Sequence, residues 1–145
     1  MKSFKLQSLL DYRKRLSDQA HQAVVVAMEH KNAVAEARRQ AEKERQRLCL
    51  ELESAKAGHF RMEEVLLYQQ CICAKQDQLR RLEEKQARAE AAVAEKQQKL
   101  VKARQKKRIL EKLRQKRSDA EEKNQARQER LITDEVAILG FGGGK

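Results

Sequence analysis

The sequence predicts an all-α fold in which two long helices form an antiparallel coiled-coil hairpin. Ala, Glu, Lys, Leu and Arg supply 85 of the 145 residues, a composition typical of coiled coils and long helices. The chain contains no Pro, the residue that most strongly breaks a helix. Bulky apolar residues are too few to enclose a dry catalytic pocket. β-Branched and aromatic residues, which strands favour, are also sparse.

The glycines set the predicted boundaries of the two helices. Four of the five lie between residues 140 and 144, and Gly58 is the only internal one. Since Gly is unfavourable inside a helix and favoured just after its end, we expect helix one over about residues 5–57, a turn at 58–59 and helix two over about 60–137. A short turn makes antiparallel pairing the simplest arrangement, so residues 1–137 form a single hairpin. Residues 138–145 are expected to be a flexible Gly-rich tail.

Apolar residues recur with the 3.5-residue spacing of a coiled coil in both helices. The rows predicted for helix one are Leu6, Arg13, Ala20, Ala27, Val34, Ala41, Leu48 and Ala55, and Leu9, Leu16, Ala23, His30, Ala37, Glu44 and Glu51. Those predicted for helix two are Ile72, Leu79, Gln86, Val93, Leu100, Lys107 and Arg114, and Lys75, Leu82, Ala89, Lys96, Ala103 and Leu110. With closure at Gly58, position i is expected to face about position 116 − i. The Ala-rich seam buries little area per layer, so we expect marginal stability.

Positive charge is concentrated late in helix two. The net charge is +11, and the segment from Lys99 to Arg117 contains ten basic residues and one acidic residue. In a hairpin this segment meets the basic N-terminal arm, which would create a strongly positive end that attracts an acidic partner. A solvated helix face is the simplest alternative. Nucleic-acid binding is less favoured, because the segment has no aromatic residue on which bases could stack.

No arrangement of residues indicates catalysis, a cofactor or a metal site. His21, His30 and His59 lack the spacing of metal ligands, and the side chains of Cys71 and Cys73 would point about 200° apart on a helix. No stretch reaches the roughly 18 apolar residues of a membrane span, and no signal-peptide core follows Met1. Three cysteines fit a reducing compartment better than a disulfide framework. We therefore expect a cytoplasmic protein that is not an enzyme, has no cofactor and does not span a membrane.

Four segments resemble the flagellar export protein FliJ family. The first is the opening FKLQSLLDYR at residues 4–13, and the second is LVKARQKKRILEKLRQKR at 100–117. The third, Thr133-Asp134-Glu135, is similar to the Leu-Asp-Glu of the family near its C-terminus, with Thr in place of Leu. In the fourth, Tyr68-Gln69 follows Gly58 by ten residues, as in the hairpin region of the family. The resemblance covers nearly the whole chain.

The resemblance implies a non-enzymatic part of the bacterial flagellar type III export apparatus. Members of the family act as a stalk in the central pore of the hexameric flagellar export ATPase and promote its assembly and activity. They also contact the transmembrane export gate and help to recycle export chaperones, which implies a location at the inner membrane of the flagellar base. The residues implied for ATPase binding are Phe4, Leu6, Leu10, Arg13, Arg104, Leu110 and Leu113. Those implied for the export gate are Tyr68 and Gln69.

Three alternatives remain open on sequence alone. The stalk protein of a virulence injectisome shares the same predicted architecture. A basic coiled-coil protein could instead bind nucleic acid, with an affinity that falls steeply with salt. A homodimeric spacer is the third possibility, and sedimentation would detect it as a concentration-dependent dimer.

Overall fold

A computed structural model describes residues 4–142, and two helices account for nearly all of them. Helix α1 spans Gln7–Ala57 and helix α2 spans Met62–Gly142. No strand occurs within this described range. The predicted all-α fold is therefore confirmed. α1 begins two residues later than expected, and so does α2.

The end of α2 lies later in the chain than the sequence suggested. Residues 138–142, which were assigned to the predicted tail, are helical in the structure. Residues 143–145 lie outside the described part of the chain. The flexibility of the tail stays a prediction.

The turn comprises residues 58–61 and does not use a left-handed glycine. The Gly58 N–H donates to the carbonyl oxygen of Ala55 at 3.4 Å, which tightens the last turn of α1. No glycine among the described residues has a positive φ. At the start of α2, the N–H groups of Glu64 and Val65 donate to the Arg61 carbonyl oxygen at 3.1 and 3.3 Å. The carboxylates of Glu63 and Glu64 lie in this first turn, where the helix dipole favours negative charge.

The chain divides into two units that draw on both helices. Residues 18–101 form one unit, which we call the hairpin unit because it contains the turn. Residues 1–17 and 102–145 form the other, which we call the terminal unit. Each unit is described separately below.

In the hairpin unit, three of the four predicted seam rows are confirmed. Both rows of α2 are buried or half-buried from Ile72 to Leu100, as is the row of α1 that runs from Ala20 to Ala55. The second row predicted for α1 is wrong by one residue, and His30, which was placed in it, is exposed. The true row is Val24, Lys31, Arg38, Arg45 and Leu52. Three of its members are charged and pack their alkyl stems in the seam, so a count of apolar residues misses them.

Polar contacts between the helices fix the register of the hairpin unit. Arg38 donates to the side-chain oxygens of Gln86 at 2.7 Å and Glu83 at 3.1 Å, and Lys75 donates to Glu44. The residue numbers of these pairs total between 119 and 124. Position i therefore faces about position 120 − i, and not 116 − i as predicted. The shift arises because four residues, and not two, separate the helices.

In the terminal unit, the start of α1 packs against the middle of α2. Leu10, Ser17 and Leu110 are buried there, and Arg13 and Lys107 are half-buried. Every residue from 118 to 140 is exposed. We call residues 118–140 the exposed segment of α2.

Candidate functional site

All seven residues expected to bind the ATPase lie in the terminal unit, but they do not share one environment. Leu10 and Leu110 are 0% and 8% exposed, so they hold the two helices together and present almost no surface to a partner. Leu6 and Leu113 are 41% and 45% exposed. The remaining three are accessible in part or in full: Phe4 and Arg13 are half-buried, and Arg104 is exposed.

Four exposed aliphatic residues of the terminal unit lie on its strongly basic stretches. Ile109 and Leu9 add to the apolar surface that Leu6 and Leu113 provide. Of the net charge of +11, residues 1–17 and 102–145 carry +10, and residues 18–101 carry +1. A surface with apolar side chains and a basic rim can dock on an acidic protein that offers apolar pockets.

Arg13 and Lys107 bring positive charge into the seam itself. The Arg13 guanidinium carbon lies 5.8 Å from the centre of the Tyr12 ring, within the range of a cation–π contact. The Lys107 ammonium lies 4.0 Å from a carboxylate oxygen of Glu111, one turn further along α2. Both contacts lie within single helices.

A groove of about 900 Å³ lies beside the start of α1. Its lining combines an aromatic ring, two guanidinium groups, carboxamides, a hydroxyl and two carboxylates. The lining residues are Phe4, Gln7, Arg114, Arg117, Ser118, Glu121, Glu122, Asn124, Gln125 and Gln128. Phe4 is the one lining residue among those expected to bind the ATPase, while Arg114 and Arg117 belong to the basic segment. The others lie on polar faces that have no apolar period. The groove is wide enough to accept side chains from a partner.

The end of α2 carries a second apolar feature that the sequence analysis did not identify. The large apolar residues of this stretch are between 57% and 74% exposed: Leu131, Ile132, Val136, Ile138 and Leu139. Their spacing would have been the signal, since several aliphatic residues close together at the end of a polar helix need a partner to cover them.

The two residues expected to contact the export gate lie in the hairpin unit. Tyr68 is half-buried in the seam, whereas Gln69 is exposed. They belong to a run of ten uncharged residues, 65–74, in a chain that is 38% charged. Four exposed apolar residues lie close to them in the chain. We call these four residues together with Gln69 the tip surface: Phe60, Met62, Leu66, Leu67 and Gln69.

Carboxylates pair with three of the charged seam residues of the hairpin unit, Arg38, Arg45 and Lys75. The hydrogen bond and positive charge of Lys75 hold the pKa of Glu44 below its ordinary value. The hydrogen bond from Arg45 lowers the pKa of Glu42 in the same way, and that contact raises the pKa of Arg45. Both contacts favour the charged form of the glutamates.

Within the described residues, the structure shows neither a metal-binding cluster nor a membrane-spanning segment. Over residues 4–142, no three His, Cys, Asp or Glu side chains gather in a way that could hold a metal ion. Neither helix, within that range, has a segment that is both long and apolar enough to cross a bilayer. Cys49, Cys71 and Cys73 are free thiols.

Comparisons with known proteins identify the family of this chain and a solved structure with a similar fold. The sequence model of the family described as "Flagellar FliJ protein" matches residues 1–145. A search of curated proteins finds no match. Among solved structures, CT670 from Chlamydia trachomatis, described as a candidate YscO homologue, is similar with a TM-score of 0.60 and 20% sequence identity. The alignment covers 98% of this chain and 96% of that chain, and at this identity the likeness concerns the fold alone.

Proposed function

The chain belongs to the flagellar FliJ protein family, and we propose that it is the coiled-coil stalk of a flagellar type III protein-export apparatus. In this role the stalk binds in the central pore of the hexameric export ATPase and promotes the assembly and activity of the ring. It links the ring to the transmembrane export gate and to export chaperones at the cytoplasmic side of the flagellar base. The observation that carries the proposal is the family match over all 145 residues.

The terminal unit is the proposed contact with the ATPase ring. Its exposed Leu6 and Leu113 can enter apolar pockets, and Arg104 on the same unit can pair with acidic residues at their rim. Leu10 and Leu110 act indirectly, since their burial holds the two helix segments together. The stalk needs no catalytic group, because it acts by favouring one conformation of an enzyme that hydrolyses ATP.

Two measurements on stalk variants test this proposal: affinity for the export ATPase and stimulation of its activity. Leu6→Ala combined with Leu113→Ala should lower affinity for the purified export ATPase by about tenfold or more, because both are proposed anchor residues. Circular dichroism should show unchanged helicity, since both side chains are exposed. Val26→Ala combined with Leu50→Ala is the matched control, because it removes two exposed aliphatic side chains from the hairpin unit. Full stimulation by the first variant, or equal loss in the control, would reject the proposed contact.

The tip surface is the proposed contact with the export gate. Its five members are uncharged and four of them are apolar, and its Leu66 and Leu67 are 50% and 61% exposed. Leu66→Glu combined with Leu67→Glu should abolish capture of the cytoplasmic part of the gate while leaving ATPase stimulation intact. The same substitutions at Leu131 and Ile132 should spare gate capture. Retention of gate binding by the Leu66/Leu67 variant would assign this contact elsewhere.

An injectisome stalk is the second candidate function. The observation that favours it is the similar fold of CT670, which is described as a candidate YscO homologue. The two systems differ in the ATPase that the stalk recognises. Stimulation of an injectisome ATPase and not of a flagellar one would decide for the alternative.

A further inference from the structure

One seam layer of the hairpin unit shows how this chain accommodates two cations between its helices. Arg45 of α1 and Lys75 of α2 both occupy seam positions and are half-buried. Arg45 Nη2 donates to Glu42 Oε1 at 2.6 Å, and Lys75 Nζ donates to Glu44 Oε2. The two carboxylates come from positions one and three residues before Arg45, and they neutralise the layer from within the chain.

A second layer of the hairpin unit follows the same principle. Arg38 occupies the seam of α1, opposite Leu82 in the register of about 120 − i. Its guanidinium donates to Glu83, which follows Leu82 by one residue, and to Gln86. Here the carboxylate comes from the residue directly after the seam position of the facing helix.

The terminal unit contains a layer of the same kind, formed by Arg13 and Lys107. Arg13 follows the buried Leu10 by three residues, and Lys107 precedes the buried Leu110 by three. Both therefore lie one turn from the Leu10–Leu110 layer, on the same side of it, and both are half-buried. Glu111 approaches Lys107 Nζ at 4.0 Å from within α2, so one carboxylate serves two cations in this layer. Their mutual repulsion is therefore only partly offset.

The positions that supply carboxylates in the hairpin unit carry cations in the terminal unit. The residues one and three before Lys107 are Lys106 and Arg104. The residue directly after Arg13 is Lys14. Arg104 and Lys106 thus correspond to Glu42 and Glu44, and Lys14 corresponds to Glu83. All three positions therefore have the opposite charge from their counterparts in the hairpin unit. The seam spacing is retained and the charge beside it is reversed.

We propose that the layer formed by Arg13 and Lys107, with Arg104, Lys106 and Lys14 beside it, is a binding site for the carboxylates of an acidic protein segment. The partner supplies to the terminal unit the negative charges that the hairpin unit carries in its own sequence. Carboxylates that pair with an Arg and a Lys form charge-assisted hydrogen bonds, which are stronger than neutral ones. The inference deepens the proposed function, in which the ATPase ring provides the acidic segment.

The chemistry of the site favours a protein carboxylate over a nucleic-acid phosphate. Glutamates fill the corresponding positions in the hairpin unit, so the layer geometry already accepts a carboxylate. No aromatic residue lies between Lys99 and Arg117 on which a base could stack, and the Tyr12 ring beside the site is in contact with Arg13. The exposed Ile109 and Leu113 on the same stretch of α2 suit apolar side chains of a folded partner.

The experiment installs the missing carboxylates and compares two variants of equal charge. Arg104→Glu combined with Lys106→Glu reproduces in the terminal unit the arrangement of Glu42 and Glu44. Lys123→Glu combined with Arg127→Glu makes the same change in net charge on the exposed segment of α2. The full chain and both variants are titrated with a fluorescent ten-residue glutamate peptide at two salt concentrations. Hydrogen exchange reports the protection of residues 7–17 in each free protein.

The layer variant should lose affinity for the peptide by about tenfold or more, because its site is already occupied by its own carboxylates. Its residues 7–17 should at the same time gain protection, because the repulsion in the seam has been relieved. The control variant should keep its affinity within about threefold, in line with screened charges outside the site, and gain no protection. Gain of stability together with loss of binding is the result that a simple change of net charge does not produce.

Three results would overturn the inference. The first is equal loss of affinity in both variants, and the second is unchanged protection in the layer variant. The third is tighter binding of duplex DNA than of the peptide, lost selectively in the layer variant. None of these measurements uses the ATPase. Peptide binding without ATPase binding would therefore refute the proposed function alone, and the converse would refute the inference alone.

Discussion

The hairpin unit and the terminal unit use the same heptad spacing and differ in how they treat charge in the seam. In the hairpin unit, Arg38 and Lys75 reach across to carboxylates of the facing helix. In the described part of the terminal unit, the ion pairs of Lys107 and Arg117 stay within α2. Residues 18–101 carry a net charge of +1, against +10 for the rest of the chain. Heptad geometry therefore sets where the helices pair, and the distribution of charge sets which part can stand without a partner.

This contrast has a consequence for stability. Repulsion among close cations opposes pairing of the helices in the terminal unit, and salt reduces it only in part. The buried Leu10 and Leu110 therefore carry much of the cohesion there. Regions with few buried contacts open most easily, so we expect the terminal unit to open before the hairpin unit does.

The largest predicted effect comes from truncating buried leucines in each unit. Leu10→Ala should cost about 2–5 kcal/mol, as other buried leucines do, and should abolish the protection of residues 7–17 against hydrogen exchange. Leu79→Ala should cost a similar amount but act on the hairpin unit, where it should lower the midpoint of thermal unfolding. Loss of protection throughout the chain in the Leu10 variant would show that the two units unfold together, and the comparison would fail.

Sequence reasoning could predict most of the seam, because its apolar residues repeat at a fixed spacing. One row of α2 follows from Leu79, Val93 and Leu100, and the other from Leu82 and Ala89. The second row of α1 could not be found in this way, since Lys31 and Arg38 occupy the seam through their alkyl stems and count as polar. The shift of register could not be found either, because it depends on whether residues 60 and 61 belong to the turn.

The candidate site was predictable in position but not in detail. The clustering of cations between Lys99 and Arg117 is visible in the sequence, and so is their proximity to Leu110 and Leu113. The heptad spacing already placed Leu110, and not Leu113, in the seam, and the structure buries Leu110 and exposes Leu113. The family resemblance implied both for ATPase binding and did not separate a packing role from a contact role. The opposite charges beside equivalent seam layers become visible only when both seam rows of both helices are known.

Acidification should produce a smaller effect, and it should act on the hairpin unit first. Bonds from Lys75 and Arg45 lower the pKa of Glu44 and Glu42 from the ordinary value of 4.5. A carboxyl group with a lowered pKa stabilises the fold above its unfolded-state value, and this contribution is lost as the pH falls through the folded-state value. Protection of the hairpin unit should therefore decline below about pH 4.5. The loss should be modest, because these groups are accessible to solvent.

Hydrogen exchange between pH 7 and pH 3, corrected for the intrinsic rate, would measure this dependence. Lys75→Gln is the control, because it removes the partner of Glu44 and should flatten part of the profile. The terminal unit has no such pair between its helices in the described range, so its protection should change less. A steeper decline in the terminal unit than in the hairpin unit would reverse the assignment of the stabilising carboxylates.

The smallest predicted effect concerns the turn of the hairpin unit. Gly58 has no positive φ, and a Cβ built on it meets no atom within 4 Å. Gly58→Ala should therefore change the free energy of unfolding by less than about 0.5 kcal/mol. Gly140→Ala is the matched comparison: it lies inside α2 with equal space around it and should gain up to about 1 kcal/mol of local helix stability. A loss of roughly 1–2 kcal/mol at Gly58 would indicate a left-handed residue. The turn, and not the seam alone, would then hold the hairpin unit together.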